Sequence, residues 1–322
     1  MTALSSIESA RAIHRELRNW YTAGVTGVLV EPSRHWKGLL HTSYAKRDLT
    51  LRLRSGEKLQ IRADEFAVFV EVFVARHYSH PHVDLRSCTS IVDVGANVGM
   101  ASIWFARECP NARVFAVEPA PLPLERLRRN ITANRLEERV IVIPAAIAVQ
   151  SGTGFVESIG SSVNGRFTST VGAASARVEV TEVQAVTLAD VLEPAGGRAD
   201  LMKLDCEGGE YAVLDESNHL VLQQVRSVVG EYHLFGGHSR DEFIRLLADR
   251  GYDQARVNPV EGRIGLFWAT LPATDTTTAA RRVAPRDPGH DCLDRPRAFD
   301  QARGLTLYRR FVGITAIQWL AS

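Results

Sequence analysis

The chain has 322 residues, enough for one large domain with extensions or for two small ones. Its 38 lysines and arginines stand against 37 aspartates and glutamates, so no basic excess points to nucleic acid as a partner. A hydrophobic content of 45% is that of an ordinary soluble globular protein.

The start of the chain and its uncharged segments favour a cytoplasmic protein without membrane contact. The first residues, with Glu8 and Arg11 close behind, lack the apolar core of a signal peptide. The longest uncharged run, 140–156, contains Pro144 and lies at the short limit for a membrane span. The cysteines have none of the spacings of a zinc site and are expected to be reduced thiols. They are Cys88, Cys109, Cys206 and Cys292.

Residues 1–88 are predicted to form an extension that precedes the main domain. Apolar positions at helical spacing predict a helix at 4–22, and a second helix is expected at 65–78. Two alternating segments, 49–53 and 58–61, are separated by a turn and predict a β-hairpin. We expect this extension to pack against one end of the main domain.

The main domain, 89–270, alternates apolar strands with helices, which predicts a parallel sheet with helices on both faces. The predicted strands are 89–94, 113–118, 139–144, 199–205 and 225–232. The predicted helices are 98–108, 121–134, 207–216 and 239–250. An antiparallel pair at 252–257 and 263–270 completes the sheet. The predicted fold class is α/β, with a doubly wound, mostly parallel, Rossmann-like sheet of seven strands.

Two segments depart from this alternation. Residues 151–187 are rich in Gly, Ser, Thr and Val, with a strand expected at 176–186 and a mobile loop at 160–165. This insertion is either a flap over the active site or a surface hairpin without a substrate role, and the sequence favours neither. Residues 271–322 are expected to be a poorly ordered linker and an apolar tail, which could pack on the domain or on a second subunit of a homodimer.

A Gly-rich turn joins the first strand of the main domain to its first helix. Asp93 is followed by Gly95 and Gly99, and a helical pattern begins at Val98. Glycine lets a ligand approach the backbone closely. Glu118 ends the next strand, nineteen residues after Gly99, where a carboxylate can accept hydrogen bonds from both hydroxyls of a ribose. The pair predicts a site for an adenosine-containing ligand, and the alternative is a plain tight turn with Asp93 as a helix cap.

The residues between the glycines indicate which adenosine ligand fits. A dinucleotide-binding turn would need glycine in place of Asn97 and Met100. Asp93 adds a negative charge, which repels phosphate and suits a cationic amino group. S-adenosylmethionine carries an ammonium, a sulfonium and a ribose but no phosphate. It is therefore the predicted cofactor.

These motifs resemble those of FkbM-type S-adenosylmethionine-dependent methyltransferases. The likeness lies in the block 93–102, in Val117-Glu118-Pro119 with Asn130 downstream, and in the block 203–210. It covers roughly 68–268 of the chain. The resemblance implies a class I methyltransferase, in a family whose members are mostly O-methyltransferases of sugars, polyketides and related secondary metabolites.

The residues predicted to bind the cofactor lie in these motifs and after the third strand. They are Asp93, Gly95, Ala96, Asn97, Gly99, Ser102, Glu118, Pro119, Ala146 and Asp205. The segment 143–147 has no polar side chain that could accept a hydrogen bond from the adenine amino group. We therefore expect backbone contacts and apolar packing to hold the adenine.

The candidate catalytic residues end the fourth and fifth strands. Asp205 ends the fourth strand, and Glu231 and His233 lie two residues apart on one face of the fifth. In one mechanism, His233 or Asp205 is the general base that takes the proton of the acceptor hydroxyl, and histidine titrates near neutral pH. In the other, all three bind Mg²⁺ or Mn²⁺, which lowers the pKa of that hydroxyl. Because an imidazole suits these ions less well than an all-oxygen set, the metal-free base is preferred.

Two further charged residues of the block 203–210 are given structural roles. Glu207 is expected to cap the helix that follows it. Lys203 shares a face with Asp205 and is expected to pair with Asp93 or Glu207, because an unpaired buried lysine is costly.

The predicted function is S-adenosylmethionine-dependent O-methylation of a small-molecule hydroxyl. N-methylation of an amino sugar or a peptide is an alternative that the sequence does not separate from it. A protein that binds S-adenosylmethionine without catalysis would not need Asp205 and His233. A nucleotide-dependent oxidoreductase is disfavoured by Asn97 and Met100.

Overall fold

The computed structural model describes most of the predicted main domain and parts of the extension. The described residues are 12–18, 47–158, 165–168, 179–234, 237–252, 255–261 and 263–272. The predicted linker and tail lie outside these ranges apart from residues 271 and 272, as does the predicted loop at 160–165 apart from Gly165. Of the predicted helix at 4–22, residues 12–16 are described as helical.

The extension contains a hairpin and a helical segment. The hairpin strands are β1 (Asp48–Arg52) and β2 (Lys58–Arg62), which pair antiparallel as predicted. A continuous helical segment, 63–74, follows, with a 3₁₀ turn, the short helix α1 (Phe66–Phe69) and a π-helical turn at Val70–Val74. It ends before the predicted residue 78 because Arg76 adopts a left-handed φ of 55°, which turns the chain back.

The remaining strands and helices follow in chain order. The strands are β3 (Ser90–Val94), β4 (Arg113–Val117), β5 (Val140–Ile143), β6 (Ala146–Ile147), β7 (Gly152–Ser158), β8 (Gly165–Thr168), β9 (Glu179–Val186), β10 (Leu201–Leu204), β11 (Ser227–His233), β12 (Arg256–Glu261) and β13 (Ile264–Thr270). The helices are α2 (Met100–Glu108), α3 (Pro121–Ala133), α4 (Leu188–Leu192), α5 (Glu210–Val213), α6 (His219–Leu222) and α7 (Arg240–Asp249). None of the helices in the described ranges is long and apolar enough to cross a bilayer.

The central sheet has seven strands in the order β12-β13-β11-β10-β3-β4-β5. Five strands of this sheet are parallel to one another: β11, β10, β3, β4 and β5. Strand β13 runs antiparallel to both β11 and β12. This confirms the doubly wound sheet with its terminal antiparallel pair, in the class I methyltransferase arrangement. The strand order reverses between β3 and β10, and ligands of such sheets bind at the carboxyl ends of the strands near that point.

Hydrophobic cores cover both faces of the sheet. On one face, the buried side chains of Trp104 in α2 and Leu127 in α3 belong to one cluster, and Phe69 of the extension belongs to the same cluster. On the other face, Leu188 in α4 and Phe243 in α7 belong to a second cluster. The extension therefore shares the core of one face of the sheet and does not merely pack against one end of the domain.

Asn130 of α3 and Asn134, which directly follows this helix, hold the hairpin of the extension against the domain. Asn130 accepts a hydrogen bond from the backbone N–H of Gln60 at 2.6 Å, and Asn134 accepts one from that of Lys58 at 2.8 Å. Asn130 is buried and also donates to the carbonyl of Val98 at 2.8 Å. This motif residue therefore links the hairpin to the Gly-rich turn.

Together with β6, the insertion at 151–187 forms a second sheet, with the strand order β6-β9-β7-β8. Of the predicted strand at 176–186, residues 179–186 are described and form β9, and 176–178 lie outside the described residues. Buried Ala146, Val156 and Val183 form a small cluster against which Ala120 and Phe167 pack. Because Ala120 follows the end of β4, the insertion joins the main domain beside Glu118. Its role as a flap stays a prediction.

Candidate active site

The Gly-rich turn after β3 depends on left-handed backbone conformations. Gly95, Asn97 and Gly99 have φ values of 75°, 49° and 88°. A Cβ atom at position 95 would lie 1.8 Å from the carbonyl oxygen of Asp205. Glycine is therefore required at 95 both by its conformation and by the close approach of the chain after β10.

Asp93 lies beneath this turn and does not present a free charge to a ligand. Its side chain is fully buried, with the Lys203 ammonium 3.0 Å from Oδ1, and Oδ2 accepts a hydrogen bond from Ser102 Oγ at 2.6 Å. The predicted pairing of Lys203 with Asp93 is confirmed. The negative charge that we expected at the mouth of the turn is instead neutralised inside the protein. Ser102, which we predicted to bind the cofactor, contacts Asp93.

Lys203 also holds the turn through its backbone. Its ammonium donates to the carbonyl oxygens of Val94 at 3.2 Å and Gly95 at 2.6 Å. Burial by itself lowers the pKa of Lys203, but the charges of Asp93 and Asp205 outweigh burial and raise it. Lys203 thus stays charged and fixes the position of the Gly-rich turn.

Glu118 lies beside the turn, where the sequence predicts a ribose-binding carboxylate. Its Oε2 accepts from the N–H of Asn97 at 2.8 Å, and its Oε1 accepts from that of Ala120 at 2.8 Å. Burial raises its pKa to about 7, although those two hydrogen bonds and Lys203 oppose the rise. Each carboxylate oxygen has a further lone pair, so the side chain can also accept from ligand hydroxyls.

The other predicted cofactor residues line the same edge of the sheet. Ala96 in the turn and Ala146 in β6 are buried, and Pro119 directly follows Glu118. Asn97 Oδ1 is buried without a hydrogen-bond partner among the described residues. A buried acceptor of this kind is costly unless a ligand donates to it, which fits a cofactor at the turn.

Asp205, Glu231 and His233 come together at the carboxyl ends of β10 and β11, as predicted. One ligand atom from each lies within 4.8 Å of the other two. Glu231 and His233 are buried, whereas Asp205 is partly exposed. Burial, then the charges of Asp205 and Glu71, raise the pKa of Glu231 well above its usual range. Asp205 is therefore the most accessible carboxylate of this set.

The environment of His233 disfavours it as a proton acceptor. Its Nδ1 lies 3.1 Å from Oε1 of buried Glu210, and its Nε2 lies 3.7 Å from Oε2 of Glu207. Burial by itself lowers the pKa of His233, but Glu210, Glu207 and Asp205 outweigh burial and raise it to about 10. The ring is therefore an imidazolium at neutral pH. This favours a carboxylate over His233 as the general base.

Glu207 does not have the helix-capping role that the sequence predicts for it. Helix α5 begins only at Glu210, whose carboxylate accepts from the backbone N–H groups of Cys206 and Gly208, both at 2.9 Å. Glu207 is not the cap, because it lies before the helix in a left-handed conformation with φ of 54°. Burial raises the pKa of Glu207 to about 7, and its side chain is 27% exposed at the site.

Sequence reasoning missed three residues that the extension contributes. Tyr78 donates a hydrogen bond of 2.6 Å to Asp205 Oδ2, across 127 positions of sequence. Glu71 and His77 each place a ligand atom within 4.8 Å of Glu231. In the sequence, His77 and Tyr78 directly follow an apolar segment with helical spacing. That spacing predicts a helix but assigns no role to either side chain.

Comparisons with known proteins show which family this chain is similar to. A family model described as the methyltransferase FkbM domain matches residues 93–253. The 31-O-demethyl-FK506 methyltransferase FkbM of Streptomyces tacrolimicus is 30% identical over 234 residues, which are 63% of this chain and 88% of that protein. Methyltransferase sdnD of Sordaria araneosa is 30% identical over 216 residues, 59% of this chain and 82% of that protein. A solved O-methyltransferase family protein from Burkholderia thailandensis aligns with a TM-score of 0.40 and 13% identity, covering 65% of this chain and 57% of that one.

Proposed function

This chain belongs to the FkbM family of S-adenosylmethionine-dependent methyltransferases, and from that premise we propose that it methylates a hydroxyl oxygen of a small molecule. The acceptor class is a sugar, a polyketide or a related secondary metabolite. The observation that carries the proposal is the group of partly exposed carboxylates, Asp205 and Glu207, beside the Gly-rich turn. Hydroxyl acceptors need a proton acceptor at that place, since a neutral alcohol is a weak nucleophile.

The cofactor in this proposal occupies the turn after β3. Glu118 accepts hydrogen bonds from the ribose hydroxyls, and Asn97 Oδ1 accepts from a cofactor donor. Its methyl group then faces the carboxyl ends of β10 and β11, where the candidate bases lie. The acceptor oxygen attacks the methyl carbon, the carbon–sulfur bond breaks, and sulfur keeps the electron pair. The hydroxyl proton passes to a carboxylate.

Glu207 is the base that the environment supports best, and Asp205 is the second candidate. A general base works best with a pKa near the working pH, and that of Glu207 is raised to about 7. Asp205 Oδ2 already accepts a hydrogen bond from Tyr78 and lies 3.8 Å from the Lys203 ammonium, so this oxygen is less available to an acceptor hydroxyl. The left-handed backbone of Glu207 is a further mark of a functional position.

The name of one relative supports an oxygen acceptor. The protein of Streptomyces tacrolimicus is named for the 31-oxygen of demethyl-FK506. An amine acceptor is the competing proposal, because an amine that arrives neutral also attacks the methyl group and also loses a proton.

A labelling experiment tests the proposal. The protein is incubated with methyl-labelled S-adenosylmethionine and a panel of hydroxylated and aminated sugars and polyketides, and products are assigned as ethers or amines by mass spectrometry. We expect labelled ethers, and a loss of kcat of about 10²- to 10⁴-fold in Glu207→Gln. Labelled amines alone would contradict the oxygen acceptor. A full loss in Asp205→Asn with little change in Glu207→Gln would make Asp205 the base.

A further inference from the structure

The extension contributes two of the three side chains in a second group of metal-ligating residues next to the proposed base. The helical segment ends in a π-helical turn at Val70–Val74, and the N–H of His77 donates to the carbonyl of Glu71 at 3.1 Å. Arg76 has a left-handed φ of 55°, which folds the chain back over the end of the helix. Glu71 and His77 thereby reach the same point above β11. π-Helical turns of this kind occur frequently at functional sites.

Glu231 completes this group from the opposite side. One oxygen of Glu71, one nitrogen of His77 and one oxygen of Glu231 all lie within 4.8 Å of one another. Ligands of an octahedral ion with bonds of about 2.1 Å lie about 3 to 4.2 Å apart. A small adjustment of the side chains therefore brings all three onto one ion.

We propose that Glu71, His77 and Glu231 bind a divalent transition-metal ion such as Mn²⁺ at the floor of the acceptor site. An imidazole suits Mn²⁺ less well than oxygen does, but Mn²⁺ accepts one nitrogen beside two carboxylates, whereas Mg²⁺ prefers oxygen alone. The ion site rests on the geometry of the three side chains. Its catalytic role rests on the proposed function: the ion binds the acceptor oxygen and makes its proton easier to remove by Glu207.

The geometry favours His77 over His233 as the nitrogen ligand. Both ring nitrogens of His233 already face carboxylates, Glu210 at 3.1 Å from Nδ1 and Glu207 at 3.7 Å from Nε2. The alternative metal set of the sequence analysis, Asp205, Glu231 and His233, shares only Glu231 with this group.

The local charges also call for a cation. Glu71, Glu231 and Asp205 are three neighbouring carboxylates, because Glu231 has a ligand atom within 4.8 Å of one from Glu71 and of one from Asp205. Within the part of the chain that the structure describes, the nearby cations are committed elsewhere: Lys203 pairs with Asp93, and His233 pairs with Glu210. A divalent ion would satisfy these carboxylates without disturbing either pair.

The test uses Mn²⁺ and the full chain without cofactor. Titration calorimetry gives the Mn²⁺ affinity, and electron spin-echo spectroscopy of the bound ion detects a coupled imidazole nitrogen. We expect the wild type to bind Mn²⁺ with a nitrogen coupling. Glu71→Gln and His77→Gln should each weaken Mn²⁺ binding by more than about tenfold. Loss of a residue that only hydrogen-bonds to a metal ligand can already weaken binding by about tenfold, so loss of a ligand should cost more. His219→Gln is the matched control, because His219 begins α6 and belongs to neither group of metal-ligating side chains found among the described residues.

Several outcomes would overturn the proposal. They are no Mn²⁺ binding by the wild type, bound ion without nitrogen coupling, or a nitrogen coupling that persists in His77→Gln and therefore belongs to another histidine. S-adenosylhomocysteine affinity and thermal unfolding are measured for every variant to show that it is folded. Cofactor binding without Mn²⁺ binding would reject the metal site and leave the proposed function standing. Mn²⁺ binding in a protein that yields only methylated amines would support the metal site and reject the proposed oxygen acceptor.

Discussion

The ammonium of Lys203 lies 3.0 Å from the carboxylate of Asp93, and the two side chains are 2% and 0% exposed. They face each other across paired positions of β10 and β3, the two strands at which the sheet order reverses. Because Lys203 also donates to the carbonyl oxygens of Val94 and Gly95, one buried ion pair fixes the position of the Gly-rich turn relative to the sheet.

Breaking this pair from one side should be strongly destabilising. Lys203→Met leaves the Asp93 charge buried without its partner, and we expect the free energy of unfolding to fall by about 3–5 kcal/mol. Denaturant unfolding measures this. The double variant Asp93→Asn/Lys203→Met should recover part of the loss, and the exposed control Lys58→Met should change little. A loss below about 1 kcal/mol in Lys203→Met would show that the pair does not hold the turn.

Gly95 and Gly197 offer a matched test of the cofactor turn. Their φ values are 75° and 76°, but a Cβ atom at 95 would meet Asp205 at 1.8 Å, whereas nothing lies within 4 Å of one at 197. Gly197→Ala should cost about 1–2 kcal/mol from the left-handed backbone alone. Gly95→Ala should cost about 1–3 kcal/mol more and should weaken cofactor binding. Equal losses of unfolding free energy in the two variants would contradict the close approach.

The raised pKa of Glu118 predicts a pH-dependent cofactor affinity. Its folded pKa of about 7 lies above the ordinary value of 4.5, so its contribution to stability is greatest below pH 4.5 and is lost as the pH rises through 7. Ribose hydroxyls are bound best by the carboxylate. The affinity for S-adenosylhomocysteine should therefore rise with pH, by up to about tenfold per unit below pH 7, and level off above it.

Two variants isolate this effect by calorimetry. Glu118→Gln should bind S-adenosylhomocysteine weakly and with a flat pH profile between pH 6 and about pH 8. Glu118→Ala should lower affinity at least about tenfold, since each lost charge-assisted hydrogen bond is worth roughly 1.5–3 kcal/mol before water compensates. Tight binding by a folded Glu118→Ala protein would remove the ribose assignment.

The second sheet should control the acceptor and not the cofactor. Replacing residues 159–178 with a short Gly-Ser linker removes β8 but keeps the cluster of Ala146, Val156 and Val183 that packs beside Ala120. We expect unchanged affinity for S-adenosylhomocysteine and a raised KM or lowered kcat for the acceptor. Full activity would show a passive surface hairpin. Lost cofactor affinity would show instead that the segment covers the adenosine.

The parts of the fold predicted correctly from sequence have local signals. Apolar runs gave the strands of the main sheet, and the spacing of two between Glu231 and His233 placed both on one face beside Asp205. Tyr78 and His77 carry no such signal, because their contacts with Asp205 and Glu231 cross more than a hundred positions of sequence. The cap at Glu207 failed because the left-handed conformations of Glu207 and Gly208 delay the helix until Glu210. The raised pKa of His233 could not be predicted from the sequence, because Glu210, whose charge helps to outweigh the effect of burial, is distant in sequence.

A crystal structure of the complex with S-adenosylhomocysteine would test the proposed cofactor site directly, and it needs no knowledge of the acceptor. We expect both ribose hydroxyls within hydrogen-bonding distance of the Glu118 carboxylate, and the sulfur facing the opening between Asp205 and Glu207. A ligand bound away from the Gly-rich turn, or one whose sulfur points away from these carboxylates, would contradict it.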